Sequence, residues 1–185
     1  MRYYSNHVKS SYANRGMNLE SDINLTNEYY KNINIALIYK KPTPIKISTV
    51  SYDTKKITEA FFETQSTLDY NGIYRGKYIE FDAKETISKT SFPLANIHKH
   101  QLEHIKGILT LGGIAFLIVR FVVLNKSYVL FANDLLDFIS TNSRKSIPIN
   151  YFEEKGYEII IKYTPRLDYL KVIDKFLEGT NETFK

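Results

Sequence analysis

The chain has 185 residues, no cysteine, and 25 Lys and Arg against 20 Asp and Glu, for a formal net charge of +5. Its length suits one domain with a sizeable core, and the missing cysteine excludes disulfides and cysteine-based zinc sites. The positive excess is compatible with a polyanionic partner, because phosphates attract Lys and Arg and release counterions on contact.

Residues 1–13 are polar, carry Arg2 and Lys9 without periodicity, and read as a flexible basic arm ahead of a single domain over 14–185. They hold no apolar stretch of the kind a signal peptide needs, so a cytoplasmic protein is expected. The longest apolar run, Ile108–Leu124, is broken by Gly112–Gly113 and by Arg120, and buried strands read the same way. Met17, Leu19, Ile23, Leu25 and Tyr29–Tyr30 predict a first helix with imperfect spacing. Ile33–Lys41 is a strand rich in β-branched residues. Lys41–Gln65 opens with two prolines and continues extended and Thr/Lys-rich, which predicts a protruding excursion from the core over about 42–65.

The stretch "LDYNGIYRGKYIEFDAKE", Leu68 to Glu85, predicts a hairpin with a two-residue turn at Arg75–Gly76. In that register Tyr74 faces Lys77, Asn71 faces Glu80, Asp69 faces Asp82 and Thr67 faces Lys84. Alternation puts all of Thr67, Asp69, Asn71, Glu80, Asp82 and Lys84 on one face. The other face takes Leu68, Tyr70, Ile79, Phe81 and Ala83, with Ile73 joining them if a bulge lies near the turn. Directly opposed Cβ atoms stand about 4.5–5.5 Å apart, and two carboxylates at that distance repel unless a cation or proton lies between them. Mg²⁺ or Mn²⁺ between Asp69 and Asp82, with the Lys84 ammonium one pleat away, is a combination suited to phosphodiester hydrolysis. A solvated hairpin face with internally paired charges fits the spacing alone about as well.

Beyond the hairpin, an opening turn at Pro93 leads into a helix ending at Gly112–Gly113. Two strands joined at Asn125–Lys126 follow, then a short helix over "ANDLLDFIST", a loop and strand through "RKSIPINYFEEKGYEIIIKY", and a closing helix with Pro165 at its start. This order gives an α/β domain on a mixed central sheet flanked by helices.

The segments "NRGM", "KKPTP", "STLDYNGIYRGKYIEFDAKET", "KTSFPLANIHKHQ", "RKSI" and "PRLDY" occur in the order seen in RecU-type Holliday junction resolvases, from Asn14 to about Tyr169. The chain resembles that family. The resemblance implies a restriction-endonuclease-like core of the PD-(D/E)xK superfamily with a protruding stalk. It implies a homodimer that binds four-way DNA junctions and cuts two strands symmetrically with Mg²⁺, in recombination and repair. Carried over motif by motif, Thr67, Asp69, Asp82 and Lys84 form the catalytic cluster, with Thr67, Asp69 and Asp82 at the metal. Glu20 corresponds to the superfamily's helix carboxylate and Gln101 to its post-hairpin helix glutamine. Arg15 matches a position linked to junction binding and to communication with the recombinase RecA. Lys46, Lys55 and Lys56 of the stalk are phosphate contacts in the same comparison, unless they serve only to keep an exposed edge soluble. The family carries Glu where this chain has Asp82, which shortens the reach to a metal by one methylene.

Two other readings stay open at this level. His100, Glu103 and His104 fit H-x-x-E-H, an inverted zinc-peptidase motif. A non-catalytic junction-binding protein would keep the basic surface without needing opposed carboxylates.

Overall fold

The computed structural model describes residues 13–63 and 67–182, with side chains described from Leu19 to Gly179 inside that range. The arm expected at residues 1–13 lies, but for Ala13, outside the described residues.

Helix α1 (Ala13–Asn32) is followed by strand β1 (Ala36–Lys40), with Asn34 in the left-handed region at φ 57° making the turn between them. Its imperfect spacing has a cause. Leu19, Ile23 and Tyr30 enter the core while Leu25 faces outward, and the inner face also buries Asp22, Thr26 and Asn27. Strands β2 (Ile45–Ser51) and β3 (Lys56–Phe62) form a separate antiparallel ribbon in which every residue except Ser51 is exposed. This is the excursion that the two prolines and the extended, Thr- and Lys-rich sequence predicted.

The hairpin follows as β4 (Tyr70–Tyr74) and β5 (Lys77–Thr86), in the expected register: Tyr74 faces Lys77, Asn71 faces Glu80 and Tyr70 faces Phe81. Arg75 and Gly76 both have positive φ, 48° and 73°, as a two-residue turn matched to strand twist requires. No bulge intervenes. Ile73 stays on the odd-numbered face and is exposed, and Tyr74 is the buried residue.

After short strand β6 (Ser91–Pro93), helix α2 (Lys99–Thr110) crosses over to β7 (Ile114–Phe121), which pairs in parallel with β5. Strand β8 (Lys126–Phe131) then turns back on β7 through Asn125, again in the left-handed region at φ 52°. Helix α3 (Ala132–Thr141), strand β9 (Ser146–Pro148), helix α4 (Ile149–Lys155), strand β10 (Tyr157–Ile159) and helix α5 (Leu170–Glu182) complete the described chain. The main sheet is six-stranded in the order β1-β4-β5-β7-β8-β10, mixed because only β5 and β7 run parallel. Every residue of β7 is buried, as a strand covered on both faces should be.

One sheet face packs Ile79, Phe81, Phe116 and Ile118 against α1 and α5. The other packs Leu117, Val119 and Tyr128 against α2, α3 and α4. Leu68 belongs to this second face, not to the one shared by Tyr70 and Phe81 as alternation predicted. The ladder with β5 begins only at Tyr70, so strand alternation is not enforced at Leu68.

Two further expectations are corrected. Helix α4 replaces part of the expected loop: Pro148 ends β9 and starts the helix, and Gly156 ends it, leaving a turn-length element with one buried anchor, Phe152. Pro165 does not start the closing helix, which begins at Leu170. Residues Ile161–Leu167 form a bridge instead, which delivers the Leu167 N–H to Thr26 Oγ1 (2.9 Å) and Arg166 to Asp22 (2.9 Å).

Candidate active site

Strand β5 presents Glu80, Asp82 and Lys84 on the face covered by α2. Glu80 and Asp82 are fully buried, so the charged face of the hairpin is neither a solvated surface nor free to relax into water. Asp82 Oδ2 accepts two donors, the Lys84 ammonium at 2.8 Å and Gln101 Nε2 at 2.9 Å. Gln101 is aimed by its place in α2. It sits at the third helical position, its Oε1 accepts the N–H of the capping residue His98 (3.1 Å), and this leaves the amide NH₂ to face Asp82.

Asp82 Oδ1 is buried and has no hydrogen-bond donor. The Asp69 carboxyl stands beside the Asp82 side chain, one residue beyond the end of the β4–β5 ladder, where the hairpin register directs it. Burial, with the adjacent Asp82 carboxyl, pushes Asp69 up to about 7, against the pull of Lys84 and Lys40. Thr67 is half-buried on the segment leading into β4.

Among the described residues no group of three Asp, Glu, His or Cys side chains stands ready to hold a metal. The pair nevertheless fits a hard divalent cation. One Asp82 oxygen is saturated by donors, the other is orphaned in the interior beside a second carboxyl, and Mg²⁺ commonly takes one or two carboxylates and completes its shell with water and phosphate.

Glu20 does not join the two aspartates. It pairs with Lys40 at 2.5 Å across the α1–β1 junction. The side chain of Arg15 lies outside the described residues, on the first turns of α1. Lys46 stands in β2 opposite Phe61, whereas Lys55 and Lys56 are at the tip of the ribbon, with Lys55 in the left-handed region at φ 53°. All three are exposed.

Sequence reasoning assigned no role to Glu80. Its carboxylate accepts from the Lys41 ammonium, from Tyr78 Oη at 2.5 Å, from His104 Nε2 at 2.9 Å and from the Leu68 N–H at 3.1 Å. Burial alone would raise this group; the hydrogen bonds from Lys41, Tyr78 and His104 outweigh it and hold the carboxyl below its ordinary value. The parity of β5 put Glu80 on the Asp82 face. Nothing in the sequence said that Lys41 and His104 would meet there.

The same contacts dismantle the H-x-x-E-H reading. His104 is committed to Glu80, Glu103 points outward to Lys106 at 3.0 Å, and the His100 ring stacks on His98. A peptidase centre needs both histidines on one ion with the glutamate beside its water.

Behind the cluster a second ionic group ties α1 to the sheet. Arg120 of β7 reaches Asp22 at 2.8 Å and stands 3.9 Å from Glu85, while Arg166 takes the other Asp22 oxygen. Burial raises the Glu85 carboxyl, with Arg120 opposing.

A family model described as recombination protein U matches residues 14–175. Among curated relatives, the Holliday junction resolvase RecU of Geobacillus sp. (strain WCH70) is 52% identical over 171 residues, covering 89% of this chain and 85% of that protein. The protein of the same name from Pediococcus pentosaceus is 49% identical over 174 residues, covering 91% and 87%. That from Lactococcus lactis subsp. lactis is 46% identical over 172 residues, covering 91% and 81%. The solved structure of Archaeoglobus fulgidus Hjc, a Holliday junction resolvase, overlays with a TM-score of 0.45 at 12% identity over 77% of this chain and 94% of that one.

Proposed function

Because the chain belongs to the recombination protein U family, we propose that it is a Holliday junction resolvase, an endonuclease that hydrolyses phosphodiester bonds of four-way DNA junctions during recombination and repair. The observation that carries this reading is the Asp69–Asp82–Lys84 cluster, with one Asp82 oxygen held by Lys84 and Gln101 and the other left without a donor.

Asp69 and Asp82, with Thr67, would hold Mg²⁺, and Mn²⁺ would serve in its place; the bound ion supplies Lewis-acid polarisation of the scissile phosphate and acidifies a water. The residues contribute the rest. Gln101 fixes Asp82 through Oδ2, so that its other oxygen would be free to hold the ion. The Lys84 ammonium, 2.8 Å from Asp82 Oδ2, lies where it can donate to a phosphate oxygen as negative charge accumulates, or hold the attacking water. Water adds to phosphorus, the bond to the 3′ oxygen breaks, and the proton lost by the water ends on the departing oxygen. The products are a 3′ hydroxyl and a 5′ phosphate, a nick that ligase can close.

A homodimer of restriction-endonuclease-like cores presents two such clusters, one for each of two symmetric cuts. In this reading the ribbon is the stalk, and Lys46, Lys55, Lys56 and Arg15 contact phosphates at the junction. Glu20 stays outside the carboxylate pair and acts on it only through Lys40, which it holds near Asp69. RecA is a partner, the chain carries a single nuclease domain, and the protein works in the cytoplasm. No helix among the described residues is long and apolar enough to cross a membrane.

The test is a synthetic four-way junction incubated with Mg²⁺. Paired nicks are expected, with linear duplex of the same sequence largely spared. Asp69→Asn should abolish cutting and leave junction binding intact; persistent cutting by that variant would remove Asp69 from the site.

A further inference from the structure

Three pieces of chain must be held at fixed positions over β5 for the cluster to exist. They are the segment 67–69 that carries Asp69, the helix α2 that carries Gln101, and the base of the ribbon at Lys40–Lys41. All three converge on one side chain. Glu80, fully buried two residues before Asp82 on the same strand face, takes the N–H of Leu68 at 3.1 Å, His104 Nε2 of α2 at 2.9 Å, and the ammonium of Lys41 at the ribbon base. Lys41 closes the loop by giving its own backbone N–H to the Asp69 carbonyl at 2.7 Å. The segment that carries Asp69 is therefore pinned on consecutive residues, at Leu68 by Glu80 and at Asp69 by the partner of Glu80.

We infer that Glu80 is a positioning residue for the metal site: it fixes the distance between Asp69 and Asp82 without binding the metal. Donors distinguish Glu80 from Asp82, the two β5 carboxylates on this face. Glu80 Oε1 already receives Leu68, His104 and Lys41, which fills it, and Oε2 receives Tyr78, so four donors compete with any cation for this carboxylate. Asp82, two residues on, keeps a buried oxygen that no nitrogen or hydroxyl donor reaches, with the Asp69 carboxyl beside the side chain. Replacing Glu80 by Gln keeps the volume but removes the charge: with the amide oxygen at the Oε1 position and the NH₂ turned to the Tyr78 hydroxyl, Lys41 and His104 meet a neutral acceptor in place of a carboxylate. The anchor shared by the segment 67–69, α2 and the ribbon base is weakened, and Asp69 and Gln101 shift relative to Asp82. Removing a group that orients metal ligands from behind lowers metal affinity about 10–100-fold.

The inference rests on Asp69 and Asp82 being the metal carboxylates, and the experiment separates the two. Mn²⁺ binding to the metal-free protein is measured by the electron paramagnetic resonance of free Mn²⁺. Junction binding is measured in EDTA, and the melting temperature is recorded for each variant. In Glu80→Gln, Mn²⁺ affinity falls at least tenfold and kcat falls with it. Junction affinity in EDTA stays within about twofold, and Glu80→Asp, which restores the charge, recovers part of the loss. Glu103→Gln, on the exposed side of the same helix, leaves all three readings unchanged. A merely structural role would lower the melting temperature and leave Mn²⁺ affinity at low temperature where it was. A folded Glu80→Gln that binds Mn²⁺ within twofold of the parent, while Asp69→Asn does not bind it, overturns the role of Glu80 and spares the site. Normal Mn²⁺ binding by Asp69→Asn overturns both. Should Glu80→Gln fail to fold, Lys41→Met, at the partly exposed end of the same link, carries the same expectation and the same refutation.

Discussion

If Asp69 and Asp82 hold a divalent cation as proposed, a proton competes with it for the same carboxyl pair, and the competition can be put in numbers. In the metal-free protein burial and the neighbouring Asp82 push Asp69 up to about 7. A cation held between the two aspartates needs both of them ionised, so metal uptake must expel that proton. Apparent Mn²⁺ affinity should then be nearly constant above pH 8, about twofold weaker at pH 7 and about tenfold weaker at pH 6. At pH 6 each binding event releases close to one proton; at pH 8 it releases about a tenth of one. Calorimetric titration in two buffers of different ionisation enthalpy reads that number directly. The sign on stability follows from the same shift. The folded-state value of Asp69 is raised above its ordinary 3.8, so the metal-free fold carries no penalty from this group below about pH 4. The penalty grows as pH rises towards 7 and is complete above it. Mn²⁺ should accordingly raise the melting temperature more at pH 8 than at pH 6. An affinity that is flat from pH 6 to 8, or binding at pH 6 without proton release, refutes the shared-carboxyl site.

Three other outcomes test the frame around the site. Arg120→Met breaks the largely buried pair with Asp22 but leaves Asp22 held by Arg166, which places the loss at the low end for a buried pair, about 3 kcal/mol, or a fall of about 6–12 °C in melting temperature by calorimetry. At Gly72 a Cβ would stand 2.0 Å from the Leu37 carbonyl oxygen, so Gly72→Ala forces β1 off β4 and should cost about 3 kcal/mol in urea unfolding; a loss below about 0.5 kcal/mol would contradict that close approach. Deleting Ser48–Glu63 should abolish the preference for a four-way junction over duplex while Mn²⁺ affinity stays within about twofold; unchanged junction affinity would make the ribbon an edge device only.

How far the site could be read from the chain depended on whether its contacts were local. The hairpin could be read because Arg75–Gly76 fixes the turn, and strand parity then assigns every residue from Tyr70 to Lys84 to a face. Carried one residue past the ladder, the same register put Asp69 beside Asp82, where the structure has it, with Lys84 one pleat away. It failed at Leu68, because parity holds only inside the ladder and the ladder stops at Tyr70. Helix α4 was too short and too aromatic to show a period, and Pro165 carried the signature of a helix start although the helix begins at Leu170.

Composition and local pattern by themselves determined the mixed α/β class, the exposed ribbon, the hairpin register and the residue types of the cluster. Those depend on turn chemistry and on the two-residue period of a strand, which act over a few residues. Tertiary structure decided that α2 covers the charged face. That burial leaves Asp82 Oδ1 without a donor, raises Asp69, commits His104 to Glu80 and brings Lys41 from thirty-nine positions away onto the same carboxylate. Desolvation is a property of what lies on top of a residue, and the elements that lie on top of this strand come from distant parts of the chain.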